Sequence, residues 1–156
     1  DDEAVAKELH FESILNDILI EFKDKIKTGT LEFDFSSQAT IRYIGPYIYS
    51  LLKNLVSNAI KYSRDNAPLK ITISTRSVNS YTLLTVQDNG MGIDMEKYGK
   101  QLFSPFRRFS PERAKGTGIG LYIVKNIIEK NGGYIKVKST PGEGTAFYCY
   151  LKEYKV

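Results

Sequence analysis

The sequence predicts an α+β two-layer sandwich, with three main helices on one face of a mixed, mostly antiparallel sheet of about five strands. Three observations favour this class: segments with apolar residues at helical spacing, alternating segments joined by short turns, and no repeat or low-complexity tract. The chain has 156 residues, enough for one domain with a substantial core. We therefore expect residues 1–156 to form a single domain.

Spacing and turn residues place each element along the chain. The predicted elements, in order, are a helix at about 11–27 within an N-terminal helical region of about 1–30, strands at about 31–35 and 40–43, a helix at about 46–63, strands at about 69–76 and 81–87, a helix at about 117–131, and strands at about 134–139 and 145–151. Gly29 and Gly132 suit helix ends, and Pro46 suits the first turn of a helix. Residues 88–116 are expected to be mostly loop, with a short helix or two.

Composition limits the class of protein. Hydrophobic residues make up 42% and charged residues 26%, as in ordinary globular domains, and no apolar run is long enough to span a membrane. Cys149 is the only cysteine, so no internal disulfide can form; with the lack of an export signal, this predicts a cytoplasmic location. Cys149 and the single His10 are too few for a structural zinc site.

The net charge of +4 raises the question of a nucleic-acid partner, but the lysines are mostly scattered. The densest basic cluster, beside a glycine motif, consists of Arg107, Arg108, Arg113 and Lys115. A small ligand that carries phosphate explains this cluster more economically than nucleic acid does. We expect no nucleic-acid partner and no direct membrane contact by this domain.

Three polar residues share one face of the second long helix. Asn54, Asn58 and Lys61 are spaced by four and three residues, which brings their side chains together. Such a stripe is usually a solvated face, although asparagine is a weaker helix former than the residues that normally occupy one. An amide oxygen can also be one ligand of Mg²⁺, and a lysine can meet a phosphate. The stripe alone leaves both interpretations open.

A carboxylate precedes two glycines at the end of a predicted strand. Gly90 and Gly92 follow Asp88 and allow positive φ and close approach of a ligand to the backbone. The carboxylate could accept a hydrogen bond from the exocyclic amine of adenine, whereas guanine presents a carbonyl there. The same residues are common hairpin-turn chemistry, so this pattern alone fits a turn equally well.

A second glycine cluster, residues 116–120, opens the last helix, where free N–H groups and the helix dipole favour an anion. It does not follow a strand directly, as a dinucleotide-binding motif requires, and it lacks the Gly-Lys-Ser/Thr of a P-loop. By itself this cluster is weak evidence for a phosphate site.

In this order, the motifs resemble those of the ATP-binding catalytic domain of sensor histidine kinases, in the GHKL superfamily shared with gyrase B, MutL and the ATP-dependent heat-shock chaperone. The similarity spans about residues 40–151. The matching segments are the N box at 54–62, the first glycine box at 88–92, the F box at 103–106, the second glycine box at 116–121 and the terminal glycine turn at 142–145.

The resemblance implies ATP and Mg²⁺ as cofactors, with Asn58 as the magnesium ligand, Asn54 supporting it, and Asp88 taking the adenine amino group. It implies that Lys61 and Arg108 contact phosphates. The other residues that it assigns to the nucleotide pocket are Tyr62, Gly90, Gly92, Ile93, Phe103, Thr117, Gly118, Gly120, Leu121 and Thr145. Residues of about 94–116 would form a lid over ATP, with Phe103 and Phe106 at its base, although ordinary core packing explains both phenylalanines equally well.

The resemblance further implies a protein-histidine kinase domain in two-component signalling. It would transfer the γ-phosphoryl group of ATP to a histidine on a dimerisation domain of the same parent protein, which then serves a response regulator. That phosphoacceptor domain is expected to be absent here, because His10 lacks the acidic residue and proline of the family motif. Ser50 stands where many relatives carry arginine. Alone, the chain should phosphorylate itself poorly or not at all.

Three alternatives remain at this point. The chain could be a degenerate module that binds nucleotide or a protein partner without catalysis. It could be another ATPase of the superfamily, or a serine kinase of the anti-sigma type. Intact motifs argue against the first alternative, and the compact spacing between motifs argues against the second.

Overall fold

The computed structural model describes residues 5–105 and 119–156. Its elements, in chain order, are β1 (Ala6–His10), α1 (Phe11–Ile26), β2 (Thr30–Asp34), β3 (Thr40–Ile44), α2 (Gly45–Lys61), β4 (Lys70–Val78), β5 (Tyr81–Asp88), α3 (Met95–Tyr98), a 3-10 turn (Gly99–Gln101), α4 (Gly120–Lys130), β6 (Tyr134–Thr140) and β7 (Gly144–Leu151). The type and order of these elements confirm the predicted α+β class.

The main sheet has five strands in the order β2-β4-β5-β7-β6. β2 runs parallel to β4, and the other neighbouring pairs are antiparallel, which confirms a mixed and mostly antiparallel sheet. The register sets Asp88 of β5 opposite Thr145 of β7, and Thr140 of β6 opposite Gly144 of β7. The end of β5 and the β6–β7 turn therefore meet at one end of the sheet.

The N-terminal region differs from its prediction. Residues 6–10, expected within a helical region of about 1–30, form β1, which pairs with β3 in a separate two-stranded sheet. Lys7 and Glu8 break any alternation of apolar and polar residues, so the sequence carries no strand signal here. The pairing with β3 decides the structure of β1, and the helix begins only at Phe11.

The core lies between the main sheet and the three long helices. α1 contributes Phe11, Leu15, Ile18 and Phe22, whose spacings of four and three residues place them on one buried face. α2 and α4 have similar buried faces, and strands β4, β5 and β7 meet the helices with inward-facing side chains. The opposite, polar face of α2 is left outside this core.

Helix ends depart from the expected boundaries for identifiable reasons. α1 ends at Ile26, and Lys27, with a φ of 54°, occupies its C-cap in place of a glycine. Gly29 has a different purpose, because a Cβ there would lie 2.5 Å from the Leu69 carbonyl oxygen. The last long helix begins at Gly120 among the described residues. None of the helices in the described ranges is long and apolar enough to cross a membrane.

The predicted lid is described only in its first part. Asp94 caps α3 by accepting a hydrogen bond from the Lys97 N–H at 3.2 Å, and the 3-10 turn follows directly. Leu102, which is 1% exposed, anchors the end of this part in the core. The rest of the predicted lid, from residue 106 onward, lies outside the described residues.

Candidate functional site

The Asp88 carboxylate lies at the end of β5, between two neighbouring strands. Asp88 pairs with Ile71 of β4 on one side and with Thr145 of β7 on the other. Its Oδ1 accepts a hydrogen bond from the Gly90 N–H at 2.8 Å. Strand pairing and the glycine turn thus determine where this acceptor points.

Burial raises the pKa of Asp88 to about 6, because removal from water disfavours the charged carboxylate. The backbone N–H groups of Gly90 and Thr145 oppose this shift, since they bond to the charged form. At neutral pH the group is therefore mostly ionised and can only accept hydrogen bonds. Such a carboxylate suits a ligand that offers an amine donor.

The glycines of the turn after β5 are required by close backbone contacts. A Cβ on Gly90 would lie 2.5 Å from the Tyr62 carbonyl oxygen. Gly92 has a φ of 72°, and a Cβ there would collide with the Thr140 carbonyl oxygen. The Met91 N–H donates to the Tyr62 carbonyl oxygen at 2.8 Å, so the turn is fastened to the C-terminal end of α2.

Arg64 and Asn89 hold this turn from outside, and the sequence analysis missed both. Arg64 donates from Nε to the Asn89 carbonyl oxygen at 2.8 Å and from Nη1 to the Gly142 carbonyl oxygen at 2.9 Å. The Asn89 side chain accepts from the Lys70 N–H at 2.7 Å and donates to the Pro68 carbonyl oxygen at 3.0 Å. Because the partners of Arg64 are backbone groups 25 and 78 residues away, no local pattern marks it.

Ser139 joins the same turn to Thr145, and it too was missed. Its Oγ accepts a hydrogen bond from the Ile93 N–H at 2.7 Å and donates to the Gly144 carbonyl oxygen at 3.1 Å. The same Oγ lies 2.7 Å from the Thr145 Oγ1. One signal was available: a hydroxyl at an inward-facing position of β6, where the two preceding inward-facing residues are apolar.

α2 carries the predicted polar stripe, and its first member bridges two helices. Asn54 is half-buried and donates from Nδ2 to the Ser50 carbonyl oxygen at 2.7 Å. A Cβ on Gly120, at the start of α4, would lie 2.8 Å from the Asn54 Oδ1. The asparagine motif of α2 and the glycine motif at the start of α4 therefore lie in contact here.

Asn58 and Lys61 are less constrained than Asn54. Both are half-buried, and neither side chain makes a hydrogen bond or ion pair with another residue in the described part of the chain. Lys61 also lines a cavity of about 810 Å³ between the C-terminal ends of α1 and α2, together with Lys25. Within residues 5–105 and 119–156, no side chain competes with a ligand for the Asn58 amide or the Lys61 ammonium.

Three other predicted pocket residues place their side chains in or against the core. Ile93 and Leu121 are only 4% and 7% exposed. Phe103 is half-buried, packs edge-to-face on Phe147 with ring centroids 6.5 Å apart, and lies 5.3 Å from the Lys125 ammonium. Phe103 therefore packs against the core, which was one of the two explanations expected for it.

Five of the predicted site residues in the described ranges are joined by contacts into one region. Strand pairing and hydrogen bonds join Asp88, Gly90, Thr145 and Ile93, and the Met91 contact joins them to Tyr62. Three predicted site residues lie outside the described residues: Arg108, Thr117 and Gly118. Phe106 and the basic cluster also lie outside them.

Comparison with known proteins identifies the family of the chain. Residues 45–155 match the family model described as histidine kinase-, DNA gyrase B-, and HSP90-like ATPase. The phytochrome-like protein Cph1 of Synechocystis sp. is 33% identical over 138 residues, which cover 88% of this chain and 18% of that protein. The sensor protein kinase WalK of Staphylococcus haemolyticus is 29% identical over 154 residues, covering 96% of this chain and 25% of that protein.

Solved structures give the same result. The nucleotide-free catalytic domain of histidine kinase ThkA matches with a TM-score of 0.78 and 26% identity, covering 95% of each chain. ThkA in complex with the response regulator protein TrrA matches with a TM-score of 0.73 and 24% identity, covering 96% of this chain and 42% of that chain.

The chain belongs to the histidine kinase-, DNA gyrase B-, and HSP90-like ATPase family, and its fold is that of a histidine kinase catalytic domain. Since the family consists of ATPases, the nucleotide that this domain binds is ATP. The chain spans only 18% and 25% of the lengths of the two curated relatives.

Proposed function

We propose that this chain binds Mg-ATP at the Asp88 turn and the polar face of α2, and donates the γ-phosphoryl group to a histidine of a separate dimerisation domain. The observation that carries this proposal is the half-buried Asp88 carboxylate, oriented by the Gly90 N–H in a turn that hydrogen-bonds to the end of α2. It combines a directed acceptor with an adjacent row of amides in a domain of this ATPase family.

The Asp88 carboxylate would determine which base is bound. The Asp88 carboxylate accepts from the exocyclic amine of adenine, and guanine is disfavoured because its carbonyl would face the same negative charge. Gly90 and Gly92 shape the turn beside the base, because a Cβ on either would meet the carbonyl oxygen of Tyr62 or Thr140. Thr145 lies beside the carboxylate because it pairs with Asp88 across β5 and β7, and Ser139 links Ile93 to Thr145.

The phosphates and metal are assigned to α2 and the start of α4. Among the described residues, no group of three or more His, Cys, Asp or Glu could hold a metal. A single amide oxygen, that of Asn58, fits Mg²⁺, which typically uses one or two protein oxygens and otherwise water and phosphate. The Asn58 amide oxygen would hold the ion, with Asn54 supporting the helix geometry, and Mg²⁺ would neutralise charge on the phosphates.

The remaining assigned residues surround the phosphates. Lys61 and Tyr62 lie at the C-terminal end of α2, where the Lys61 ammonium has no ion-pair partner among the described residues. Gly120 and Leu121 begin α4, whose free N–H groups favour an anion. The proposal also assigns phosphate contacts to three residues outside the described ranges: Arg108, Thr117 and Gly118.

Transfer itself needs positioning and charge neutralisation more than a strong base. The bond between the γ-phosphorus and its bridging oxygen breaks as a neutral imidazole nitrogen of the acceptor histidine bonds to phosphorus, and ADP leaves. The dimerisation domain of the same parent protein is the proposed acceptor, and a response regulator is the next partner. The solved complex of ThkA with a response regulator supports this assignment. The location proposed for the domain is cytoplasmic.

Phosphoryl transfer in trans tests the proposal. The chain is mixed with radiolabelled ATP, Mg²⁺ and a separately produced dimerisation domain of its parent protein. Label stable to base and labile to acid should appear on that domain, should require Mg²⁺, and should vanish when the acceptor histidine is replaced by alanine. The chain without the acceptor should remain unlabelled.

Two outcomes would contradict the proposal. Tight ATP binding without transfer to a folded acceptor domain would indicate a nucleotide-binding module. Steady ATP hydrolysis by the chain without any acceptor would indicate another kind of ATPase of the family.

A further inference from the structure

The main sheet carries buried apolar residues on its outer face, the face directed away from the helices. Leu83 of β5 and Ala146 of β7 are only 3% and 7% exposed, although neither belongs to the core between the sheet and the helices. Strand alternation directs them outward, since their neighbours Leu84 and Phe147 face that core. The side chains around them on the outer face therefore shield them from water.

Three tyrosines form this cover by packing on one another. Tyr134 and Tyr150 lie opposite each other on β6 and β7, and their rings stack with centroids 4.3 Å apart and planes 9° apart. Tyr81 meets both rings edge-on, at 5.3 Å and 6.2 Å. Tyr134 is nevertheless 38% exposed, and none of the three hydroxyls bonds to a residue in the described part of the chain. The cluster is thus rigid but still open to solvent.

Two lysines of β6 lie against tyrosine rings of this face. The Lys136 ammonium is 5.7 Å from the ring centroid of Tyr134 and 5.8 Å from that of Tyr150. The Lys138 ammonium is 6.0 Å from the ring centroid of Tyr148. Both lysines are exposed, and neither forms an ion pair with a described residue. The rings therefore hold two cations that no carboxylate neutralises.

The charge of this face is one-sided. Arg76 of β4, opposite Leu83, adds a third positive charge, and the outward positions of β4, β5, β6 and β7, all of them described, include no acidic residue. The acidic residues of the outer face, Glu32 and Asp34, belong to β2 at the other edge of the sheet. Four strand spacings, about 19 Å, separate β2 from β6. Salt screens charges over about 8 Å, so these carboxylates do not neutralise the lysines.

The geometry favours one kind of partner for this surface, the tyrosine–lysine face of β5, β7 and β6. The faces of Tyr134 and Tyr150 are occupied by each other and by Lys136, so little ring surface is left for stacking nucleic-acid bases. The apolar residues beneath are buried, so none protrudes to enter a membrane. Ammonium and phenol groups are donors that suit carboxylates.

We propose that the tyrosine–lysine face docks an extended acidic segment of a partner protein, with an acidic residue at every second position. Lys136 and Lys138 point to the same side of β6 about 7 Å apart, which is also the spacing of alternate side chains in an extended peptide. Successive carboxylates of the partner pair with the two ammonium groups. The packed tyrosines supply rigid contact area at a low entropic cost.

Fluorescence anisotropy in the absence of nucleotide tests this surface, so the result does not depend on the proposed ATP site. A labelled peptide of alternating glutamate and serine is titrated with the wild-type chain and with two double variants. Replacing both Lys136 and Lys138 by glutamine should weaken binding about 10-fold, at about 3-fold for each exposed ion pair. Replacing Lys7 and Lys23, exposed lysines of β1 and α1, by glutamine removes the same charge and should change nothing.

Two further comparisons test the tyrosines and the spacing. Tyr134→Ala should weaken peptide binding about 5-fold. Tyr122→Ala, at a tyrosine of α4 that is also 38% exposed, should have no effect. A peptide with the same number of glutamates at every third position should bind more weakly, because successive carboxylates then lie on opposite sides of an extended chain.

Three outcomes would each overturn the proposal. The wild-type chain could fail to bind the alternating peptide. The two double variants could weaken binding equally, which would show that only the net charge matters. Single-stranded oligo(dT) or vesicles containing phosphatidylserine could bind more tightly than the peptide in a manner that requires Lys136 and Lys138, which would make this face a nucleic-acid or membrane surface instead.

Discussion

The two ends of the candidate site differ in how completely the protein has prepared them. Around Asp88, four polar groups have hydrogen-bond partners: the Gly90 N–H, the Ile93 N–H, and the hydroxyls of Ser139 and Thr145. Along α2, by contrast, Asn58 and Lys61 have no hydrogen-bond or ion-pair partner in the described part of the chain.

The difference follows from what each end is proposed to bind. A neutral base is recognised through hydrogen bonds, which depend on direction. The protein groups that bind it must therefore be held in place before it arrives. Phosphates and Mg²⁺ bring strong charges of their own, and a half-buried amide and ammonium can adjust to them. Under the proposed function, phosphates and Mg²⁺ would complete the α2 end, whereas hydrogen bonds of the fold already hold the Asp88 end.

The largest expected effect is on the free energy of unfolding, and it comes from the glycine turn that follows Asp88. Gly92→Ala should destabilise the chain by about 4 kcal/mol, since it adds a positive-φ penalty to a collision with the Thr140 carbonyl oxygen. Gly142→Ala is the matched control: its φ is 80°, but a Cβ there meets nothing within 4 Å. It should cost only about 1 kcal/mol. Equal losses in urea unfolding would show that the close contact at Gly92 does not matter.

The next effect concerns the acceptor itself. Asp88→Asn should weaken ATP binding about 10- to 150-fold. Asparagine has one acceptor oxygen where the carboxylate has two, so either the Gly90 N–H or the adenine amine loses its acceptor. Asp17→Asn, on the exposed side of α1, should leave the affinity unchanged. Isothermal titration calorimetry measures both. An Asp88→Asn variant that binds ATP like the wild type would place the base elsewhere.

A smaller and Mg²⁺-dependent effect is expected at the other end. Asn58→Ala should weaken Mg-ATP binding about 10-fold, the scale of one bond to a charged group. The binding of adenosine, which has no phosphates, should be unaffected. Asn16→Ala, an exposed asparagine of α1, provides the control. If Asn58→Ala weakens adenosine and Mg-ATP equally, Asn58 belongs to the base end and the comparison between the two ends is wrong.

The smallest effect is a pH dependence with opposite signs for stability and binding. The pKa of Asp88 is raised from 3.8 to about 6, so the folded chain holds this proton more tightly than the unfolded chain. Its contribution to stability is fully present below 3.8 and is lost as the pH rises through about 6. ATP binding needs the carboxylate, so affinity should fall as the pH drops below about 6.

The Asp88→Asn variant distinguishes the pH dependence of stability from the pH dependence of ATP binding. It should raise the unfolding temperature of the nucleotide-free chain at pH 8 and have less effect at pH 5, because it removes a buried charge that exists mainly at high pH. Its weak ATP binding should also lose the dependence on pH near 6. A variant that unfolds at the same or a lower temperature than the wild type at pH 8 would contradict the raised pKa.

Local patterns predicted the parts of this molecule that depend on nearby residues. The buried face of α1 has a period that can be counted along the chain, and the β4–β5 hairpin follows from alternation and its turn. Asp88 and the α2 asparagines belong to short motifs that, taken singly, also fit a turn and a solvated helix face, and only the order of the motifs along the chain made them specific. The resemblance to a known family then gave them expected roles, which the experiments above test.

The tertiary structure decided what depends on distant partners. β1 is a strand because β3 pairs with it, and Arg64 belongs to the site because the Gly142 carbonyl oxygen, 78 residues away, comes within 2.9 Å. Ser139 meets the Ile93 N–H only after β6 and the glycine turn have been brought together. Helical and strand periods are properties of adjacent residues and can be read along the chain, whereas a hydrogen bond between remote segments exists only once the fold has placed its donor and acceptor within reach.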